Sequence, residues 1–238
     1  MKTALCFTGT ARSLEHTHQN LKNNLIDAFD NCDVFLMIAD GPHAHKIEKY
    51  FDLPNVKKCI IEQETEQDLT TYNFQPGFPP PRSSKQIYIK MLNARRRCGE
   101  MLTTYENDND DRYERVIFSR LDVGYFEKVS RHVENQDLEN LYIPDFHNVF
   151  GGVIDGYNDR FAVSNRENMR IYFNLVQSIK PFLAQGGLLH GETFLKWHLT
   201  NHQINVKLLP VRFTRVRSDG KEIDIRLKNT STWRGMDT

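Results

Sequence analysis

Four places in the sequence carry side chains whose type and spacing suit work on a phosphorylated or hydroxylated ligand. The first is Thr8-Gly9-Thr10-Ala11-Arg12, a turn between an apolar run and an amphipathic one. Such a turn can aim backbone N–H groups at an anion from a helix N-terminus, and Arg12 adds a forked cation suited to a diphosphate or a nucleobase edge. It is neither a GxGxxG fingerprint nor a Walker loop. The second is Asp40, which closes the apolar run from Asp33. The third is Arg120-Leu121-Asp122 at the end of another apolar run, where Asp122 could meet a hard divalent cation bridging phosphates. The fourth joins the Asn158-Asp159 turn to His190-Gly191-Glu192, in which one side chain could reach a metal or phosphate while the other works as a general base on an acceptor hydroxyl. Each has a plainer alternative. Arg12 would sit in a surface ion pair, Arg120 and Asp122 would pair with each other or Asp122 would cap a turn, and Glu192 would only stabilise a helix N-terminus. No nucleophile elbow, Cys-His pair, kinase glycine loop or His-Glu-x-x-His is present, so hydrolase, kinase and zincin chemistry lack support. His43 and His45 read as surface residues, and Trp197 and His198 as helix packing.

These residues need a scaffold that gathers them, and the hydrophobic pattern names one. Thr3–Phe7, Asp33–Asp40 and Val56–Glu62 are apolar runs separated by helical patterns, Leu14–Phe29 and a shorter one ending at Phe51. That alternation predicts a parallel sheet covered on both faces, a βαβαβ nucleotide-binding half. Tyr113–Ser119 adds a strand that delivers Arg120 and Asp122. In such sheets ligands bind at the carboxyl ends of the strands, where all four places fall. Gln63–Ser83, polar and then proline-rich, reads as a flap. Ser84 is expected to cap a helix running to about Tyr105, with Ile87, Met91, Ala94 and Cys98 at helical spacing and Tyr88 and Leu92 likewise. The second half reads as mixed, with short strands at Leu141–Ile143, Val149–Ile154 and Asp159–Val163. A Ser164-x-x-Glu167 capping box opens a helix that stops near Pro181. A further helix follows His190-Gly191-Glu192 to about Asn201. Strands at Ile204–Leu209 and Val211–Arg217, a hairpin turn at Asp219-Gly220 and a polar tail beyond Leu227 complete the pattern. The expected organisation is one domain over residues 1–217, with a hairpin end and polar tail over 218–238.

The 238 residues carry 31 Lys+Arg against 31 Asp+Glu, a formal charge of zero. That balance, with Arg95-Arg96-Arg97 as the longest cationic run, argues against nucleic acid as a partner. With 39% hydrophobic and 26% charged residues the chain is long enough to bury a core as a single α/β unit. No apolar stretch approaches the roughly 20 residues of a membrane span, and the apolar run after Met1 is too short for a signal-peptide core. A soluble, unprocessed, cytoplasmic protein is expected. Cys6, Cys32, Cys59 and Cys98 are scattered without a CxxC pair, as buried thiols in a reducing compartment would be.

In order and spacing these segments resemble the nucleotide-sugar glycosyltransferases of the GT-A type, particularly the small cytosolic enzymes of algal large-DNA viruses, bacteria and plants. The resembling residues are Ala4 to Ser13, Asp33-Val34-Phe35, Tyr113 to Asp122, Asn158 to Ala162, and His190-Gly191-Glu192, over about residues 3 to 217. The resemblance implies a GT-A-like, Rossmann-type mixed sheet flanked by helices in a single domain. It implies inverting transfer of a sugar from a nucleoside diphosphate sugar, UDP-sugar favoured, to a hydroxyl of a glycan or glycoprotein, in the host cytoplasm if the chain is viral. Thr8, Gly9, Thr10, Arg12 and Asp40 would surround the nucleotide. Lys85, Arg12 and Arg120 would face the leaving group, and Glu192, with Asp159 second, would deprotonate the acceptor. The end of the Asp122 strand takes the place of the metal-binding Asp-x-Asp, so Mn²⁺ or Mg²⁺ is implied, with Asp122 and His190 as ligands. Here the chain departs from the pattern, because Arg120 stands where the motif has its first aspartate. Arg120 would instead neutralise the diphosphate and lessen the need for a metal. Two other functions share such a sheet. A sugar-phosphate nucleotidyltransferase would need a glycine- and arginine-rich triphosphate loop, which is missing. A non-catalytic glycan-binding or assembly protein would have lost the metal motif, as Arg120 suggests.

Overall fold

The central strand β1 (Thr3–Gly9) is apolar on both sides, and its alternate residues enter two cores: Leu5 and Phe7 one, Ala4 and Cys6 the other. A strand with no polar face must be covered twice. The computed structural model describes residues 1–63, 65–74, 82–150 and 154–223. After β1 a 3-10 turn, Ala11–Ser13, leads into α1 (Leu14–Leu21), which ends in a π turn, Lys22–Ile26. The strand β2 (Cys32–Ala39) repeats the alternation, Val34, Leu36 and Ile38 against Phe35 and Met37. Then come α2 (Lys46–Tyr50), β3 (Val56–Glu62), the long helix α3 (Arg82–Asp108), β4 (Arg115–Arg120), β5 (Val123–Tyr125) and α4 (Ser130–Val133). The second half holds β6 (Leu141–Pro144), β7 (Val149–Phe150), β8 (Ile154–Asp155), β9 (Phe161–Ser164), α5 (Arg166–Phe173) and a 3-10 turn, Asn174–Ser178. It ends with α6 (Ile179–Ala184), α7 (Gly191–Asn201), β10 (Val206–Leu209) and β11 (Phe213–Arg215).

Seven strands form one mixed sheet in the order β10-β6-β9-β4-β1-β2-β3, with β4, β1, β2 and β3 parallel and β9 antiparallel to both neighbours. Helix α3 covers one face and α1 with α2 the other, so the expected helix-flanked α/β domain is what the chain forms. The register sets Thr8 opposite both Met37 and Arg120. The parallel strands therefore end level, and their carboxyl ends make one edge.

Several local expectations are corrected. The helix over Leu14–Phe29 is shorter, since the α-helical part stops at Leu21. Ser84 lies inside α3, which begins at Arg82. Part of the expected flap is tied down: Phe74 bridges Leu189, whose N–H donates to Asn73 O at 2.7 Å, while residues 75–81 lie outside the described residues. The Ser164-x-x-Glu167 box does not form. Ser164 is still paired with Val116 in the sheet and donates to Leu138 O and Asn140 O, so Asn165 caps α5 by accepting from Asn168 N. Pro181 falls within the first turn of α6, where its missing N–H costs nothing, and does not end a helix. Of the thiols, Cys6, Cys32 and Cys98 are buried, but Cys59 is exposed because β3 is an edge strand. The Asp219-Gly220 turn is present, with Gly220 at φ +81° and Arg217 N donating to Lys221 O. The tail beyond Leu227 lies outside the described residues. Among the described residues no helix is long and apolar enough to cross a membrane.

At Gly99 helix α3 approaches α5 so closely that a Cβ would stand 2.7 Å from Phe173 Cβ. Alanine would gain about 1 kcal/mol in helix propensity, while overpacking costs about 1 to 3 kcal/mol. Gly99→Ala is therefore expected to lower stability in urea denaturation. A more stable variant would mean the two helices are free to part.

Candidate functional site

The level strand ends build a cleft. Thr8, Gly9, Thr10 and Arg12 supply one wall, Arg120, Leu121 and Asp122 the next, Ala39 the floor from β2, and Ile87, Met91 and Ala94 of α3 the apolar side. Gly9 has φ +128°, a conformation side chains disfavour, which lets the chain leave β1 sharply toward Arg12. Two walls are fastened through one residue: Ser13 Oγ donates to Val216 O at 2.7 Å and Val216 N donates to Asp122 O at 2.8 Å. Thr17 Oγ1 also donates to Leu121 O at 2.8 Å.

Within the cleft Arg120 grips Asp122 with both arms. Nε lies 2.7 Å from Oδ1 and Nη2 lies 2.5 Å from Oδ2, the bidentate geometry that makes a guanidinium–carboxylate pair strong. Burial works to raise the Asp122 pKa, but Arg120, with Arg12 and Arg160 behind it, holds it below the ordinary carboxylate value. A divalent ion needs free carboxylate oxygens, and both here are engaged. His190, the second expected ligand, has Nδ1 3.2 Å from Thr193 Oγ1 and Nε2 3.7 Å from Glu192 Oε2. Among the described residues no group of three His, Cys, Asp or Glu side chains gathers where an ion could be held. The donor set as it stands does not fit Mn²⁺ or Mg²⁺.

Behind Arg120 runs a buried ionic network. Arg120 N donates to Arg160 O at 3.3 Å, which couples the strand end to the Asn158-Asp159-Arg160 turn. Asn158 is fully buried and shapes that turn, donating to Phe146 O and accepting from Arg160 N. Arg160 lies 3.3 Å from Glu192 Oε1 and 3.9 Å from Asp159 Oδ1. Arg95, only 1% exposed, reaches across from α3, donates to Asp159 O at 3.0 Å and stands 3.7 Å from Asp159 Oδ2. Its guanidinium lies over the rings of Phe118 and Tyr172, 4.7 Å from each centroid, the two rings being 5.5 Å apart. For Asp159 burial acts upward on the pKa, but Arg160, Arg95 and Arg120 together bring it below the usual value. For Glu192 burial and the nearby Asp159 prevail over Arg160, and its pKa is raised. Tyr157 N donates to Glu192 O, and Gly156 presses so close that a Cβ there would lie 2.5 Å from the Glu192 carbonyl carbon.

The expected residues thus fall into two groups. Thr8, Gly9, Thr10, Arg12, Arg120 and Asp122 line one cleft, while Asp159, His190 and Glu192 belong to the buried network and do not line it. Asp40 follows the Ala39 floor but is exposed, its Oδ1 accepting from Gly41 N, so it is not a cleft residue. Lys85 holds its Nζ 5.1 Å over the Phe74 ring and also lies off the cleft lining. Arg95 and Arg160 are the residues sequence reasoning missed. A signal for Arg95 was available, since Tyr88, Leu92, Arg95, Gly99 and Leu102 share one helical stripe that is otherwise uncharged.

Residues 1–221 match the family model described as Domain of unknown function (DUF7796). No curated protein matches the chain. Among solved structures the chain is similar to the galactosyltransferase LgtC in complex with donor and acceptor sugar analogues, at 13% identity over 86% of this chain and 72% of that one, TM-score 0.53. It is also similar to the apo form of mouse xyloside xylosyltransferase 1, at 12% identity over 87% of this chain and 84% of that one, TM-score 0.50. These likenesses establish the GT-A type of fold.

Removing one partner from a buried ion pair costs about 3 to 5 kcal/mol, because the other charge is left buried without compensation. Arg95→Ala and Arg95→Met both leave Asp159 without this partner, so both should lose stability of that order in chemical denaturation, by similar amounts. A loss on Arg95→Met far smaller than on Arg95→Ala would show that packing against Phe118 and Tyr172, not charge, is what Arg95 supplies.

Proposed function

Because the chain belongs to the family described as Domain of unknown function (DUF7796), whose description carries no reaction, function rests on the cleft itself, and we propose that it transfers a sugar from a nucleoside diphosphate sugar to a hydroxyl group. The observation that carries this reading is the meeting of Arg12 and Arg120 with the Thr8-Gly9-Thr10 turn at the carboxyl edge of the parallel strands. A diphosphate needs forked cations and aimed N–H groups, and that edge is where this class of sheet binds its ligands. The names of the two similar structures, a galactosyltransferase and a xylosyltransferase, support the same direction. Ile87 and Met91 offer an apolar side suited to a nucleobase, for which we favour UDP-sugar as donor. Asp40 and Lys85 would approach the nucleotide from the rim. A glycan or glycoprotein hydroxyl would be the acceptor, and free thiols at all four cysteines support action in a reducing, cytoplasmic compartment.

In the reaction the acceptor oxygen attacks the anomeric carbon as the bond to the diphosphate breaks, inverting that centre. Negative charge develops on the leaving diphosphate, toward which Arg12 and Arg120 are already arranged. The acceptor proton goes to a carboxylate of the network behind the cleft, Glu192 first and Asp159 second, relayed through a water because neither lines the cleft. A raised pKa makes Glu192 the better base, whereas Asp159 is held ionised by three guanidinium groups. The alternative is a non-catalytic glycan-binding protein on the same fold, favoured by the burial of Glu192 against Arg160.

Thermal shift with a nucleotide panel tests the proposal. UDP or another nucleoside diphosphate should raise the melting temperature more than the triphosphates do. Triphosphate preference would point to nucleotidyl transfer, and no response to the binding protein. The pH dependence supplies a second check. Since Glu192 must be deprotonated to accept a proton and its pKa is raised, kcat/KM should climb with pH through a limb above the ordinary glutamate value near 4.5. Glu192→Gln should abolish turnover while UDP still binds. Retained turnover with an unchanged limb would remove Glu192 from the mechanism.

A further inference from the structure

We infer that the charge of the bound diphosphate is met by the guanidinium of Arg120, with Asp122 as its holder, so that nucleotide binding draws on no divalent cation. The inference rests on the donor-cleft reading above and concerns how that same cleft handles charge. Arg120 is in register with Thr8 across the β1–β4 pair, so its side chain leaves the sheet beside the turn that faces the diphosphate. Its Nε and Nη2 are spent on Asp122, which leaves Nη1 outside the pair. The main chain on both sides is pinned, Arg120 N to Arg160 O and Asp122 O to Val216 N. A donor fixed in this way need not reorganise when charge develops on the leaving group.

The same geometry leaves little for an ion. Both Asp122 oxygens accept from Arg120, and a cation at coordinating distance from either would stand against the guanidinium. The neighbouring carboxylates are committed too, Asp159 to Arg95 and Arg160, and Glu192 to Arg160. Arg95, Arg120 and Arg160 balance Asp122, Asp159 and Glu192 one for one, so the network has no negative excess to attract a divalent ion. Arg12, at the cleft mouth, tips the site toward anions. Asp122 is on this account a positioning residue. It orients the fork of Arg120 and touches neither sugar nor phosphate.

Isothermal titration of the full chain with UDP, once in EDTA and once with Mn²⁺, tests this without relying on turnover. The dissociation constants should agree within about twofold. Arg120→Met should lose binding in both conditions, and Arg120→Lys should recover part of it. Asp122→Asn should weaken UDP about tenfold by the same factor in both, since it removes charge-assisted bonds that hold the fork. Thermal melts of the variants establish that they fold, and the wild-type comparison needs no variant. UDP binding at least tenfold tighter with Mn²⁺, together with an Asp122→Asn loss seen only in Mn²⁺, would overturn the inference and leave the donor cleft standing. If no nucleoside diphosphate binds the folded wild type in either condition, the inference falls together with the reading beneath it.

Discussion

A carboxylate at the end of a central strand can stay ionised with little water only if a cation shares its geometry, and Arg120 meets that need for Asp122 two residues away. The rest of the site follows from this pairing. Arg120 is held by the Asn158-Asp159-Arg160 turn, that turn by Arg95 from the opposite helix, and Glu192 at the start of α7 by Arg160. Three layers that are far apart in sequence thereby share one set of charges. Stability alone does not call for such an array, because well-packed apolar groups of similar volume hold layers together as well. What the array adds is a rigid edge of donors at a cleft.

The cleft depends equally on a strap from the end of the described chain. Strand β11 pairs with β5, and Val216 just after it binds both the Ser13 side chain and the Asp122 carbonyl. The Arg12 turn and the Asp122 turn leave different strands and would otherwise drift independently. Tying both to one residue converts two loops into a single wall, the kind of support that lets loop residues hold a ligand with strand-like precision of position.

How much of this was legible depends on whether the deciding contacts are local. Strands β1 and β2 were plain because apolar character on both faces is written into consecutive residues, and the carboxyl ends of β1 and β4 bring Thr8, Arg12, Arg120 and Asp122 to one cleft, whereas the expected apolar run Val56–Glu62 is an edge strand with no residue buried. The details that failed turn on partners distant in sequence. Ser164 looks like a cap until its pairing with Val116 keeps it in the sheet. Arg95 looks like one of three solvated arginines until Asp159, 64 residues on, receives it over two rings. Asp40 had the right strand end, but its carboxylate turns to the next residue's N–H instead of the cleft. The choice between an Arg120–Asp122 pair and a metal ligand was open in the sequence, since two residues of spacing permits either, and in the structure both Asp122 oxygens accept from Arg120.

Charge also has to be read at the scale on which a ligand meets it. The whole chain is neutral, and so is the network behind the cleft, yet the lining itself carries two arginines against one aspartate. Arg12 has no ion pair among the described residues and is exposed, while Arg120 is half-satisfied by Asp122. An anion entering therefore meets one positive charge without an ion pair at the rim and, on the wall, a guanidinium held in place by Asp122. Asp122 stands on the lining but has both oxygens turned to Arg120, and Asp159 and Glu192 lie in the network behind it. A neutral protein can in this way present a locally cationic pocket, in which salt screens the exposed Arg12 readily and the buried network behind it little.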